Sequence, residues 1–143
     1  MEELLVYALL LYEGFSVDKE YQNRLDALFL ENPTDDFLLD LEFLSSNLKD
    51  SIAYIITKFD YNHFDHDSFG RFLMQKLKPC YDSTDIKEFA GRMYSLWESL
   101  PGNIQEEPPF NILCYADDPL SWGDEAHTRE LYEHMLDYYS CSV

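Results

Sequence analysis

A chain of 143 residues and 16.9 kDa is long enough to bury a sizeable core within one domain. Hydrophobic residues at 46% and aromatics at 16% argue against disorder in spite of the charge. With 28 acidic against 10 basic residues the formal net charge is −18, a field that repels nucleic acid and anionic membranes and favours encounter with a basic protein.

Cys80, Cys114 and Cys141 are scattered and form no C-x-x-C, so neither a disulfide framework nor a zinc knuckle is indicated. A reducing cytoplasm suits that usage. Glu2 and Glu3 stand where a signal peptide carries basic residues, and the apolar run from Leu4 to Tyr12 is too short to span a bilayer. The expectation is a soluble cytoplasmic chain forming a single helical domain over 1–143.

Leu4 to Tyr12 is apolar on nearly every side, the pattern of a helix at the centre of a bundle, and Gly14 suits its C-terminal cap. Ser16 and Asp18 open a second helix that carries Tyr21, Leu25 and Leu28 at helical spacing and stops near Asn32-Pro33. Thr34 is the expected N-cap of a third, with Asp35 and Asp36 in its first turn and Phe37, Leu41 and Leu44 as its buried row. Ser45-Ser46 reads as a break and Asn47 as the next cap. Leu48, Ile52, Ile55, Ile56 and Phe59 then follow; Ile-Ile also suits a strand, but the period of 3.6 favours helix.

Asp60 to Asp67 is a polar-aromatic loop, with Asp67 placed to cap the fifth helix. That helix uses Phe69, Phe72, Leu73 and Leu77, and Pro79 is expected to close it. Ser83 or Thr84 caps the sixth, where Ile86, Phe89, Ala90, Met93, Trp97 and Leu100 give the cleanest helical stripe in the chain, ended by Pro101-Gly102. Pro108-Pro109 suggests an extended loop. Phe110 to Tyr115 reads as one short strand or an extended segment near 110–115. The last stretch begins in an acidic loop. Ser121 and Asp124 have the form of a capping pair, Pro119 sharpens the boundary, and Leu131, Met135 and Tyr138 recur along the final helix. The spacing predicts an all-α fold, an irregular bundle of six or seven helices.

The residues that suggest chemistry are few. Asp60, His63, Asp65, His66 and Asp67 are dense enough in carboxylate and imidazole to hold a divalent metal, which would suit a small metal-dependent hydrolase. Against a calcium-binding EF-hand, however, Phe64 takes the fifth position and Arg71 the twelfth. The commoner meaning of such a loop is a solvated turn, and no metal site is expected there. His127 and His134 lie on roughly one face of the last helix with Glu130 and Glu133 nearby, a picture any acidic surface helix offers. Nucleophile motifs and glycine-rich phosphate loops are absent, so no catalytic residue and no cofactor are expected. From Pro101 onward nine acidic residues face one basic residue, Arg129. Within that stretch Tyr115, Asp117, Asp118, Trp122, Asp124 and Glu125 interleave aromatics with carboxylates, which suits an interface that anchors through rings and steers through charge. The purely structural meaning is that Asp124 and Glu125 serve a helix start while Trp122 packs on the bundle.

The run STDIKEFAGRMYSLWESLP over 83–101, followed by Cys114, Tyr115, Ala116, Asp117 and Asp118, resembles the colicin and pyocin immunity proteins. Members of that family are small acidic helical proteins that bind and neutralise a cognate, usually basic, nuclease toxin. Their pattern at the second place is Tyr-Tyr-Pro followed by acids; here only Tyr115 and the acids match, Cys114 and Ala116 stand in the other places, and the first fifty or so residues have no counterpart. The resemblance implies contacts at Tyr115, Asp117 and Asp118. Two functions of different class follow: an immunity or inhibitor protein that occludes a basic toxin or nucleic-acid-binding protein, and a helical scaffold or regulatory subunit whose acidity serves solubility. Neither involves direct nucleic-acid or membrane binding.

Overall fold

The computed structural model describes residues 1–101 and 103–140, so Gly102 and Cys141, two of the residues discussed above, lie outside the described residues. Among the described residues there are eight α-helices, two 3-10 turns and no strand, one helix more than the upper expectation. The fold is all-α. By contacts the chain divides into two compact units, residues 1–65 and 66–143.

In the first unit, α1 (Glu2–Tyr12) is the central helix. Leu4 through Leu10 are all buried, as a run apolar on every side requires. The helix ends in a Schellman motif: Gly14 has φ 90°, its N–H donates to Leu11 O at 3.0 Å, and Phe15 N–H donates to Leu10 O at 3.0 Å. Phe15 is itself buried, which supplies the motif's hydrophobic contact. Helix α2 (Asp18–Glu31) packs on α1 through buried Tyr21, Leu25 and Leu28. Tyr7 and Tyr21 meet edge-on with ring centroids 6.4 Å apart. Burial pushes the Tyr21 phenol up to about 12, with the Ser51 hydroxyl partly offsetting it. Helix α3 (Asp36–Phe43) contacts α2 and α4 (Leu48–Lys58), and α4 packs on α1. Asn47 caps α4 as expected, accepting from Asp50 N–H at 3.2 Å.

In the second unit, α5 (His66–Ser83) continues through Pro79 instead of stopping there. A proline inside a helix removes one backbone hydrogen bond. Here the last turn is held by packing. Tyr81 is buried, its ring lies 5.2 Å from Phe89 and 6.3 Å from Tyr132, and its hydroxyl donates to Glu133 at 2.8 Å. Of the stripe expected on α6 (Ile86–Ser99), Ile86, Phe89, Ala90 and Met93 are buried, and Leu100 just past its end; at the last turn Leu96 takes the buried place and Trp97 is half-buried. After it, the loop at 103–109 runs in turns and is not extended. Ile104 is fully buried, and Trp97 and Gln105 clasp each other, Trp97 Nε1 donating to Gln105 O at 3.1 Å and Gln105 Nε2 to Trp97 O at 2.8 Å.

Two features depart from expectation for local reasons. The segment near 110–115 is a 3-10 turn, Phe110–Cys114, not a strand or extended segment. Phe110, Leu113 and Ala116 are all buried, and their spacing of three is the repeat at which a 3-10 turn places side chains in one row. The caps also shift toward the nearest aspartate. Asp35 caps α3 through Leu38 N–H, Asp85 caps α6 through Lys87 N–H, and Asp124 caps α8 (Glu125–Leu136) through His127 N–H, each at 3.1 Å. Thr34, Ser83, Thr84 and Ser121 do not fill that role. Aspartate accepts the orphan N–H and adds a favourable charge at the helix N-terminus, whereas a hydroxyl does only the first.

Candidate functional site

The six acidic and aromatic residues singled out by sequence lie in one continuous stretch of the second unit, running from the 3-10 turn through the short helix α7 (Asp118–Ser121) into α8. Buried residues at every third position fix its path. Phe110, Leu113, Ala116 and Pro119 are buried and tie the backbone down, while Tyr115, Asp118 and Trp122 turn outward. The clamp is Thr128, whose side chain is completely buried. Its Oγ1 accepts from Leu120 N–H at 2.9 Å and donates to Ala116 O at 2.7 Å, so one hydroxyl on α8 holds both α7 and the backbone just before it.

A second Schellman motif then ends α7. Gly123 has φ 85°, its N–H donates to Leu120 O at 3.0 Å, and Asp124 N–H donates to Pro119 O at 2.8 Å. Asp124 therefore closes α7 with its backbone and opens α8 with its side chain. Pro119 lies inside the first turn of α7, where a missing N–H is harmless. Ser121 is the last residue of α7, its hydroxyl donating to Asp118 O at 2.6 Å. That arrangement leaves Trp122 at the tip, between the two helices and 78% exposed. An indole this open to water has no role in the core, which removes the packing explanation for it.

The carboxylates are not equivalent. Asp118 and Glu125 are exposed, Glu125 pairing with Arg129 at 2.8 Å. Asp124 is exposed but engaged as a cap. Asp117 is half-buried: with Leu120 and Ser121 it lines a shallow hollow of about 400 Å³ that Lys87 and Ala90 of α6 complete. Its Oδ1 is shut off from solvent and, among the described residues, finds no hydrogen-bond partner. Burial pushes the Asp117 carboxyl above the usual aspartate range, its own backbone N–H works against that, and the charge of Asp118 adds to it. The hydroxyl of Tyr132 is likewise buried and unpaired, and its phenol is raised first by burial and then by the charge of Asp117. Tyr115 is 41% exposed. The stretch thus presents two open rings and a set of outward carboxylates on a backbone fixed from beneath. Sequence reasoning missed Thr128 and Gly123, which position the rest. Gly123 carried a readable signal, since glycine just past a short apolar turn is the usual C-terminal cap; Thr128 carried none.

The other cluster divides between the two units. In the first, Asp60 accepts from Asn62 N–H at 3.1 Å and lies 2.7 Å from His63 Nδ1. In the second, His66 and Asp67 belong to the first turn of α5, so Asp67 is inside the helix and not its cap; His66 Nδ1 lies 3.0 Å from Glu107 and Asp67 pairs with Arg71 at 2.7 Å. Among the described residues no three His, Cys, Asp or Glu side chains gather as a metal's ligand set. His127 and His134 are both exposed on α8. No helix among the described residues is long and apolar enough to cross a membrane. Comparison with protein families, with curated proteins and with solved structures returned no match.

Proposed function

We propose that this chain is an acidic binding protein of the immunity or inhibitor kind, which neutralises a basic toxin or nucleic-acid-binding protein by covering its working surface. The observation that carries this reading is Trp122, 78% exposed at the tip of a clamped turn with Asp118, Asp124 and Glu125 around it in the chain. Tryptophan and tyrosine are the residues that most often dominate interface energetics, and a rigid backbone lowers the entropy lost on docking. The net charge of −18 supplies long-range attraction toward a basic partner, and Asp118 and Glu125 supply the local part. The mechanism is occlusion: the partner's active or nucleic-acid-binding surface is covered, and no bond is made or broken.

The test is capture on the immobilised full chain from a lysate of its own cell, at low and then at high salt. A single stoichiometric basic protein, released as salt rises and inhibited when bound, supports the proposal. Capture of nothing specific, or of a partner retained equally at all salt concentrations, contradicts it.

A further inference from the structure

The first unit carries a surface that the reading above does not use. On α4 the fully covered positions are Ser51 and Ile55, while the larger aliphatics Leu48, Ile52 and Ile56, at i, i+4 and i+8, stay partly uncovered. Ser51 completes its burial by placing its hydroxyl 2.9 Å from Leu44 O and 3.1 Å from Asn47 O. A helix needed only to cover α1 gains nothing from three large aliphatics outside its buried row. With Leu11 and Tyr12 from the end of α1 they line an open, predominantly apolar groove of about 500 Å³. Tyr12 is 64% and Leu48 39% exposed.

We infer that this groove is a docking site for an amphipathic helix whose polar face carries Lys and Arg. The row from position 48 to 56 spans about 12 Å at the helical rise, the length over which a bound helix offers anchors at i, i+3, i+4 and i+7. Charge selects among occupants. Residues 1–65 hold fourteen acidic against four basic side chains, and the whole chain carries −18, so a second copy or an anionic membrane meets repulsion while a basic helix meets attraction. Among the described residues Lys49 is the one charged residue lining the groove, so the attraction for a basic helix comes from the surrounding acidic field and the groove wall supplies the apolar contact.

The test uses the full chain and three 18-residue probe peptides: an amphipathic Leu/Lys helix, the same composition scrambled, and a Leu/Glu counterpart. Fluorescence anisotropy is to give at least tenfold tighter binding of the first than of either other peptide. Tyr12→Ser and Ile52→Gln are each to weaken it at least fivefold, whereas Trp122→Ala, in the other unit, leaves it unchanged. Tyr12 is exposed enough that its substitution leaves the fold intact, so it decides the matter if Ile52→Gln melts early. Equal affinity for the scrambled peptide reduces the effect to bulk charge and overturns the inference. So does indifference to both groove variants, or self-association of the free chain that Ile52→Gln abolishes. Weakening by Trp122→Ala and not by the groove variants would place the basic peptide on the Trp122 surface, which overturns the groove and leaves the inhibitor reading, tested by capture of the partner, standing.

Discussion

The two tryptophans of this protein, both in the second unit, show how differently one residue type is used. Trp97 lies within the α6 stripe, half-buried, with its indole N–H donated to Gln105 O and its own carbonyl taken by the Gln105 amide. Trp122 stands between α7 and α8 with 78% of its surface in water. Beside Trp97 the apolar residues Leu96, Leu100 and Ile104 are buried in the core; around Trp122 the buried ones, Ala116, Pro119 and Thr128, hold the turn in place. Surface that stabilises the fold and the surface proposed to dock a partner can therefore be told apart by substitution, because each is expected to affect one readout and leave the other.

The largest expected effect on stability is at Trp97. Trp97→Ala removes a large ring and leaves the Gln105 carbonyl without its donor, and a loss of about 3 kcal/mol in unfolding free energy is expected by chemical denaturation. Trp122→Ala, by contrast, is expected within about 0.5 kcal/mol of the parent. Equal losses at both sites would erase the distinction. Next comes Thr128→Val, which keeps the shape but strands Leu120 N–H and Ala116 O. About 2 kcal/mol is expected, together with faster amide exchange at Leu120 and weaker partner binding, since the turn beneath Trp122 loosens. Gly123→Ala forces a side chain into a left-handed backbone and is expected to cost about 1 kcal/mol in a thermal melt. A loss near zero would mean that the turn relaxes freely.

The smallest effect is pH-dependent. The fold raises the Asp117 carboxyl, first by burying it. A group of that kind favours the fold below its unfolded pKa, and the benefit is lost as pH rises through the raised value. Asp117→Asn is therefore expected to melt higher than the parent at neutral pH, with the difference closing below about pH 4. A gap that stays constant across pH would contradict a burial penalty at that carboxyl.

How much of this was legible in the sequence follows from what decides each feature. The covered stripe of α6 and the all-round burial of α1 were readable because periodicity reports directly which faces are covered. Asn47 was readable as a cap because no competing aspartate precedes its helix. Elsewhere an adjacent aspartate captured the cap, so starts moved by one to three residues. Pro79 misled because the burial of Tyr81, made by residues far along the chain, holds the turn beyond it. The 3-10 turn at Phe110–Cys114 was hidden because five residues are too few for a repeat of three to stand out from an extended apolar run. At the candidate site, the acidic and aromatic types were plain in sequence, but their exposure was not. Trp122 packed on a core and Trp122 in water have the same hydropathy, and what separates them is Thr128, a residue with no motif around it.

The most direct measurement of the central claim is capture of the partner from native lysate on two baits, the parent and Trp122→Ala, shown first to melt together. The account predicts that the parent retains a basic protein at low salt and that Trp122→Ala loses at least thirtyfold in affinity for it, about 2 kcal/mol. Retention of the same protein by both baits with affinities within twofold would contradict it, and would leave Trp122 exposed without a part in binding.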